Sequence, residues 1–142
     1  MARLYITFDV LLSVSMAEGF CIALIEAQAC GVPVITGEWG ATGEQLFAGW
    51  PVLRQEAEIL SIRSGGHWYR PQVEAIADRL EQAYLTLRTK RQRKILREQA
   101  RAGSLQFDSD TITNKYWKPL LDKIENQLIQ GHIRRRRKRA LR

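Results

Sequence analysis

The stretch from Ser15 to Thr36, SMAEGFCIALIEAQACGVPVIT, constrains the fold more than any other part of the chain. Between Phe20 and Ala29 it is apolar or small on nearly every side, the mark of a buried helix rather than a surface one. Gly31 stands where a left-handed residue would end such a helix, and Pro33 lies just beyond. Val32 to Thr36 is then a β-branched apolar run, and Val10-Leu11-Leu12 upstream is another. Both have the pattern of strands covered on two faces, as in a parallel sheet. Strand, helix and strand joined by short links follow from this stretch.

The rest of the chain extends the pattern. Gly37 to Gly43 reads as a glycine-rich loop, Glu44 to Phe47 as a short helix, and Gly49 to Leu53 as a third strand. Ile59 to Ile62 suggests a short antiparallel fourth. Ser64 to Arg70 is a loop carrying His67, Trp68 and Tyr69. From Pro71, residues Val73, Ile76, Ala77, Leu80, Ala83, Tyr84 and Leu87 recur at helical spacing. A basic stretch, Arg88 to Arg101, keeps Ile95, Leu96 and Ala100 as a sparse apolar face. Asp108 or Ser109 could cap a last helix to about Leu128, with Tyr116, Trp117, Leu120, Leu121 and Ile124 on its buried side and Gly131 ending it. The expected class is α/β, a partial doubly wound (Rossmann-like) parallel sheet with C-terminal helices. The first strand comes within about ten residues of Met1, with no phosphate-binding turn before it. The expectation is the C-terminal part of a nucleotide-binding domain over residues 1–130, followed by a basic, disordered tail over 131–142.

The 142 residues suffice for one domain with a real core. The net charge of +7 is unevenly spread: −4 over residues 1–53, +4 over 54–130 and +7 over 131–142. The body is nearly neutral, which argues against a whole-domain nucleic-acid binder. No run approaches the ~18 apolar residues of a membrane span, and Asp9 interrupts the apolar start, against a signal peptide. Cytoplasmic location is the expectation. Cys21 and Cys30 fall on one short helix, a poor disulfide geometry. With two cysteines and two histidines there is no plausible zinc ligand set.

Two carboxylates break the apolar stretch. Glu26 falls inside the buried helix, where a charge is costly unless something pairs with it. It could accept hydrogen bonds from the two ribose hydroxyls of a nucleotide; alternatively it lies on an exposed edge or pairs with a structural Arg. Glu18 lies in the loop after a parallel strand, the end at which open α/β sheets bind ligands. The backbone N–H groups of Gly19 to Ile22 would be the donors of a helix N-terminus, suited to a phosphate or sugar oxygen. At the helical rise, Glu18 and Glu26 would stand about 12 Å apart, the span of a sugar, a diphosphate and a ribose. The bland alternative for Glu18 is an acidic residue favoured by the helix dipole.

Glu18-Gly19-Phe20-Cys21-Ile22 through Glu26-Ala27, followed by Ala29-Cys30-Gly31-Val32-Pro33-Val34-Ile35, resembles the E-x7-E signature of retaining glycosyltransferases of family 4 (group 1), with the GT-B fold. Phe8-Asp9-Val10-Leu11-Leu12 is similar to the strand before that motif. Gly49-Trp50-Pro51-Val52 resembles the family's later strand, Tyr69-Arg70-Pro71 the lead into its long helix, and Gln106-Phe107-Asp108 with Tyr116-Trp117 its C-terminal helices. The resemblance implies that Glu18 contacts the transferred sugar with a catalytic role. It further implies that the backbone of Gly19, Phe20, Cys21 and Ile22 holds sugar and phosphate oxygens, and that Glu26 holds the ribose. It implies a nucleotide-sugar donor as substrate and no metal or other cofactor. The family usually has Gly where this chain has Cys21, which narrows the backbone approach. The family's acceptor-binding domain and the basic residues that neutralise the diphosphate are not in these 142 residues. Little or no transferase activity is therefore expected of the chain alone, and a separate N-terminal domain or a second copy would be its partner.

Glu38, Glu44, His67 and Trp68 are outside candidates for ligand contact, with surface charge and loop packing the simpler readings. Arg134 to Arg139 reads as a solvated run, or as a contact for an anionic membrane surface or, without specificity, for nucleic acid. The rival to a transferase portion is a non-catalytic nucleotide-binding remnant or partner-dependent module with an anion-binding tail.

Overall fold

The computed structural model describes residues 1–54, 57–59 and 67–140, with the backbone alone at 57–59, 67 and 132–140. The chain divides into two compact units, Met1–Leu105 and Gln106–Arg142.

The first unit is the α/β domain. After a short helix α1 (Ala2–Tyr5), strand β1 (Leu11–Ser13) leads through helix α2 (Ile22–Ala29) to β2 (Val34–Gly37), and helix α3 (Gly40–Glu44) leads to β3 (Gly49–Val52). The three strands form a parallel sheet in the order β1-β2-β3, pairing Leu11 with Val34 and Val34 with Gly49. Central β2 is buried along its whole length, as its β-branched run requires. Period-two alternation splits its side chains between two cores. Val34 packs on one face with Tyr5, Cys21, Leu24, Ala27 and Val32. Ile35 packs on the other with Trp39, Trp50, Val52, Ala83 and Leu87.

The second face is covered by helix α4 (Val73–Leu87), whose Arg79 Nε donates to the Pro51 carbonyl at 2.8 Å. Helix α5 (Lys90–Ser104) returns against both α4 and α2. At the junction, Arg93 Nε donates to the Leu87 carbonyl at 2.6 Å, satisfying an orphan carbonyl of the preceding helix end. Two further strands, β4 (Ala57–Ile59) and β5 (His67–Tyr69), form a separate antiparallel pair.

Two glycines have backbone reasons. Gly31 (φ +80°) ends α2: its N–H reaches the Gln28 carbonyl at 2.8 Å, and that of Val32 reaches Ala27 at 2.9 Å, a Schellman closure. Gly49 (φ +136°) lies so close to β2 that a Cβ there would collide with the Val34 backbone.

Several sequence expectations are corrected. Strand β1 is an edge strand, so Leu12 is 42% exposed instead of covered on both faces. The short helix expected at Glu44–Phe47 starts earlier, at Gly40, where Thr42 Oγ1 donates to the carbonyls of Gly37 (3.0 Å) and Trp39 (2.7 Å). The expected fourth strand at Ile59–Ile62 is β4, in the second sheet; its residues 60–62 lie outside the described residues. His67, Trp68 and Tyr69 form β5 rather than a loop, while residues 64–66 lie outside the described residues.

The second unit is helical. Asp108 caps helix α6 (Ser109–Ile112) by accepting the Thr111 N–H at 2.9 Å, which holds its carboxyl below the usual carboxylate range. A π turn over Thr113–Trp117 follows, then helix α7 (Lys118–Ala140). The helix passes through Gly131 and carries Arg134 to Arg139 on a continuous helical backbone, where the sequence suggested a stop and a disordered tail. Tyr116, Trp117, Leu120, Leu121 and Ile124, read as core, are 43–55% exposed. They share one side of a helical run that, among the described residues of its own unit, has no second layer to bury them.

Candidate functional site

The loops at the C-terminal ends of β1 and β2 are knitted together. Trp39 Nε1 donates to the Ser15 carbonyl at 2.9 Å, and the Tyr69 N–H donates to the Met16 carbonyl at 3.0 Å. Trp39 and Tyr69 also pack with ring centroids 5.7 Å apart. Gly40 lies under the next loop, since a Cβ there would stand 3.6 Å from the Glu18 carbonyl. The carboxylate of Glu18 is exposed on this pinned platform, and among the described residues it has no hydrogen-bond or ionic partner. Gly19 beside it has nothing within 4 Å of its Cβ position, so the backbone there is open to approach.

Helix α2 begins at Ile22, not at Gly19 or Phe20 as the sequence suggested. Cys21 is its N-cap, with extended backbone (φ −92°, ψ 91°) and no side-chain cap. Its N–H donates to Gln45 Oε1 at 3.3 Å, and its side chain is buried beside Ser13, with Sγ to Oγ 3.8 Å. The thiol therefore fills core space. The Cys21 amide, expected to hold an oxygen of the ligand, is already engaged by Gln45. The helical-rise spacing does not apply between Glu18 and Cys21, because that segment is a loop.

Gln45 is anchored in turn. Gln28, completely buried on α2, donates through Nε2 to the carbonyls of Leu24 (3.0 Å) and Gln45 (2.7 Å). Its Oε1 accepts the N–H groups of Phe47 (2.9 Å) and Ala48 (3.1 Å). This network fixes the entrance of α2 against the α3–β3 link. Gln45 Nε2 is buried and has no hydrogen-bond partner among the described residues. Sequence reading missed both glutamines, although an amide inside an otherwise apolar helix was a visible signal.

Glu26 is half-buried on α2, and Oε2 accepts a hydrogen bond from the Tyr5 hydroxyl at 3.0 Å. The partner that a charge at this position needs is thus a phenol from α1, not an arginine. Burial, reinforced by the carboxylate it donates to, raises the Tyr5 pKa above its ordinary value of 10.0, so the hydroxyl stays a donor.

The outside candidates fare differently. Glu38 is exposed and accepts the Arg54 N–H at 3.2 Å, a task within the fold, and Glu44 is exposed at the end of α3. Trp68 lies on β5, 40% exposed. Among the described residues, no group of three or more His, Cys, Asp and Glu is placed to hold a metal ion, and no helix is long and apolar enough to cross a membrane. A cavity of ≈ 310 Å³ lined by Asp9, Val10, Leu80, Ala83, Tyr84 and Leu87 lies on the α4 face, away from both glutamates.

The family model described as glycosyl transferases group 1 matches residues 1–102, which include β1, α2, β2 and both glutamates. No curated protein and no solved structure matches the chain.

Proposed function

Since the chain belongs to the glycosyl transferases group 1 family, we propose that its α/β unit is the donor-binding portion of a retaining GT-B glycosyltransferase of family 4. The substrate is a nucleotide diphosphate sugar, whose sugar passes to an acceptor. Glu18 faces the sugar and stabilises the charge that develops as the glycosidic bond breaks. Glu26 accepts hydrogen bonds from the ribose hydroxyls. Backbone N–H groups of the Gly19–Ile22 segment reach the sugar and phosphate oxygens, with the Cys21 amide the least available because Gln45 occupies it. No metal enters the reading, since backbone donors at a helix entrance suit a diphosphate.

The observation that carries this reading is the position of Glu18. It is an exposed carboxylate, without a partner among the described residues, on a loop pinned by Trp39 and Tyr69 at the C-terminal edge of a parallel sheet, where such sheets bind ligands. The reading extends to a cytoplasmic protein, with Arg134–Arg139 resting against an anionic membrane surface. Calorimetry with UDP, GDP and ADP tests the donor site. One nucleotide should bind, and Glu26→Ala should abolish that binding. Equal affinity in the wild type and Glu26→Ala would remove the ribose assignment. Binding without any hydrolysis or transfer of the matching nucleotide sugar would favour a non-catalytic nucleotide-binding module.

A further inference from the structure

We propose that Tyr5 is a positioning residue for Glu26, holding one carboxylate oxygen so that the other is presented to the ribose hydroxyls. This rests on reading Glu26 as the ribose carboxylate. The two residues are 21 positions apart, on α1 and α2, and meet at 3.0 Å. Tyr5 is itself held: it is 6% exposed, packs edge-on to Phe8 at 5.9 Å, and belongs to the same core as Leu24 and Ala27.

A glutamate side chain has three rotatable bonds, and fixing it on ligand binding opposes affinity. The phenol removes that freedom beforehand by engaging Oε2 alone. A carboxylate has capacity for about four acceptor contacts over two oxygens, so Oε1 retains its full accepting power. The choice of donor matters. An arginine here would form a paired fork across both oxygens and compete with the ligand. A neutral phenol orients the carboxylate and leaves its negative charge intact.

The test uses the full chain and Tyr5→Phe, which keeps the ring and its packing and removes only the hydroxyl. Affinities for UDP, GDP and ADP are measured beside those for their 2′,3′-dideoxy counterparts. Tyr5→Phe should weaken the preferred ribonucleotide by about two- to tenfold, as expected when one flexible side chain must be ordered on binding, and leave the dideoxy nucleotide unchanged. A purely structural role would move both affinities alike, and that result overturns the proposal. If Glu26→Ala selectively weakens the ribonucleotide but Tyr5→Phe does not, only the positioning role falls. If no ribonucleotide binds the wild type, or Glu26→Ala has no effect, the ribose reading itself falls and the proposal with it. Loss of the fold in Tyr5→Phe would assign the bond to stability and also overturn the proposal.

Discussion

Gln28 and Gln45, seventeen residues apart, form a buried joint in which the side-chain amide of the first donates to the backbone carbonyl of the second at 2.7 Å. Because Gln45 then accepts the Cys21 N–H, the joint reaches the loop that bears Glu18. Gln28→Ala would strand the Ala48 N–H and the Gln45 carbonyl inside the core and remove the acceptor of the part-buried Phe47 N–H. Unsatisfied buried groups cost about 1–3 kcal/mol each, so a loss of about 3 kcal/mol or more is expected. Urea unfolding of wild type and variant measures it, and a change below about 1 kcal/mol would contradict this account of the network.

Glycine substitutions should separate fold from site. Gly49→Ala places a methyl into the Val34 backbone at a φ of +136°, which L-residues rarely adopt. It should yield little folded protein. Gly19→Ala meets open space, so its stability should stay within about 0.5 kcal/mol of wild type. Thermal melts of the two variants decide the matter, and similar melting temperatures would contradict the β2–β3 packing.

Glu18 should discriminate between sugar-bearing and plain nucleotides. Glu18→Ala is expected to lower affinity for the nucleotide sugar by about tenfold, roughly one charge-assisted hydrogen bond, with the nucleoside diphosphate unaffected. Titrating both ligands into both proteins reads this directly. An equal loss for both would place Glu18 at hydroxyls the two ligands share, those of the ribose, instead of at the sugar.

Much of this site was legible because it is local. The Gly31 closure of α2 and the strand after it depend on residues within one turn of each other, and the sequence carried both. The start of α2 was not legible. Cys21 is its cap because of Gln45, 24 residues away, and no local pattern announces that bond. The partner of Glu26 was hidden for the same reason, since Tyr5 lies 21 residues upstream on another helix. The stripe from Tyr116 to Ile124 failed differently. Periodicity says which side of a helix is apolar, not whether anything covers it.

Alkaline pH should expose the Tyr5–Glu26 bond. The folded protein holds the Tyr5 pKa above 10.0, so the unfolded chain releases this proton first. The contribution is complete below the unfolded value and fades as pH rises through the folded one. Wild-type stability should therefore fall above pH 10 by a component that Tyr5→Phe lacks. Chemical denaturation from pH 8 to 11 compares the two slopes. Parallel curves would show that the hydroxyl makes no difference between folded and unfolded states.

Helix α7 should carry the protein to anionic membranes. Six successive basic residues, Arg134 to Arg139, lie on its helical backbone, and a basic residue at an anionic bilayer is worth about 1 kcal/mol. Such attraction decays over a Debye length, so it should weaken steeply with salt. The protein should sediment with phosphatidylserine-containing vesicles at low ionic strength, and not with pure phosphatidylcholine. Deleting residues 132–142 should abolish that binding while the α/β unit, Met1–Leu105, keeps its melting temperature. Unchanged sedimentation after the deletion would end the membrane reading. Equal retention on duplex DNA would make the run a general polyanion contact, because phosphate attraction alone carries no preference between the two surfaces.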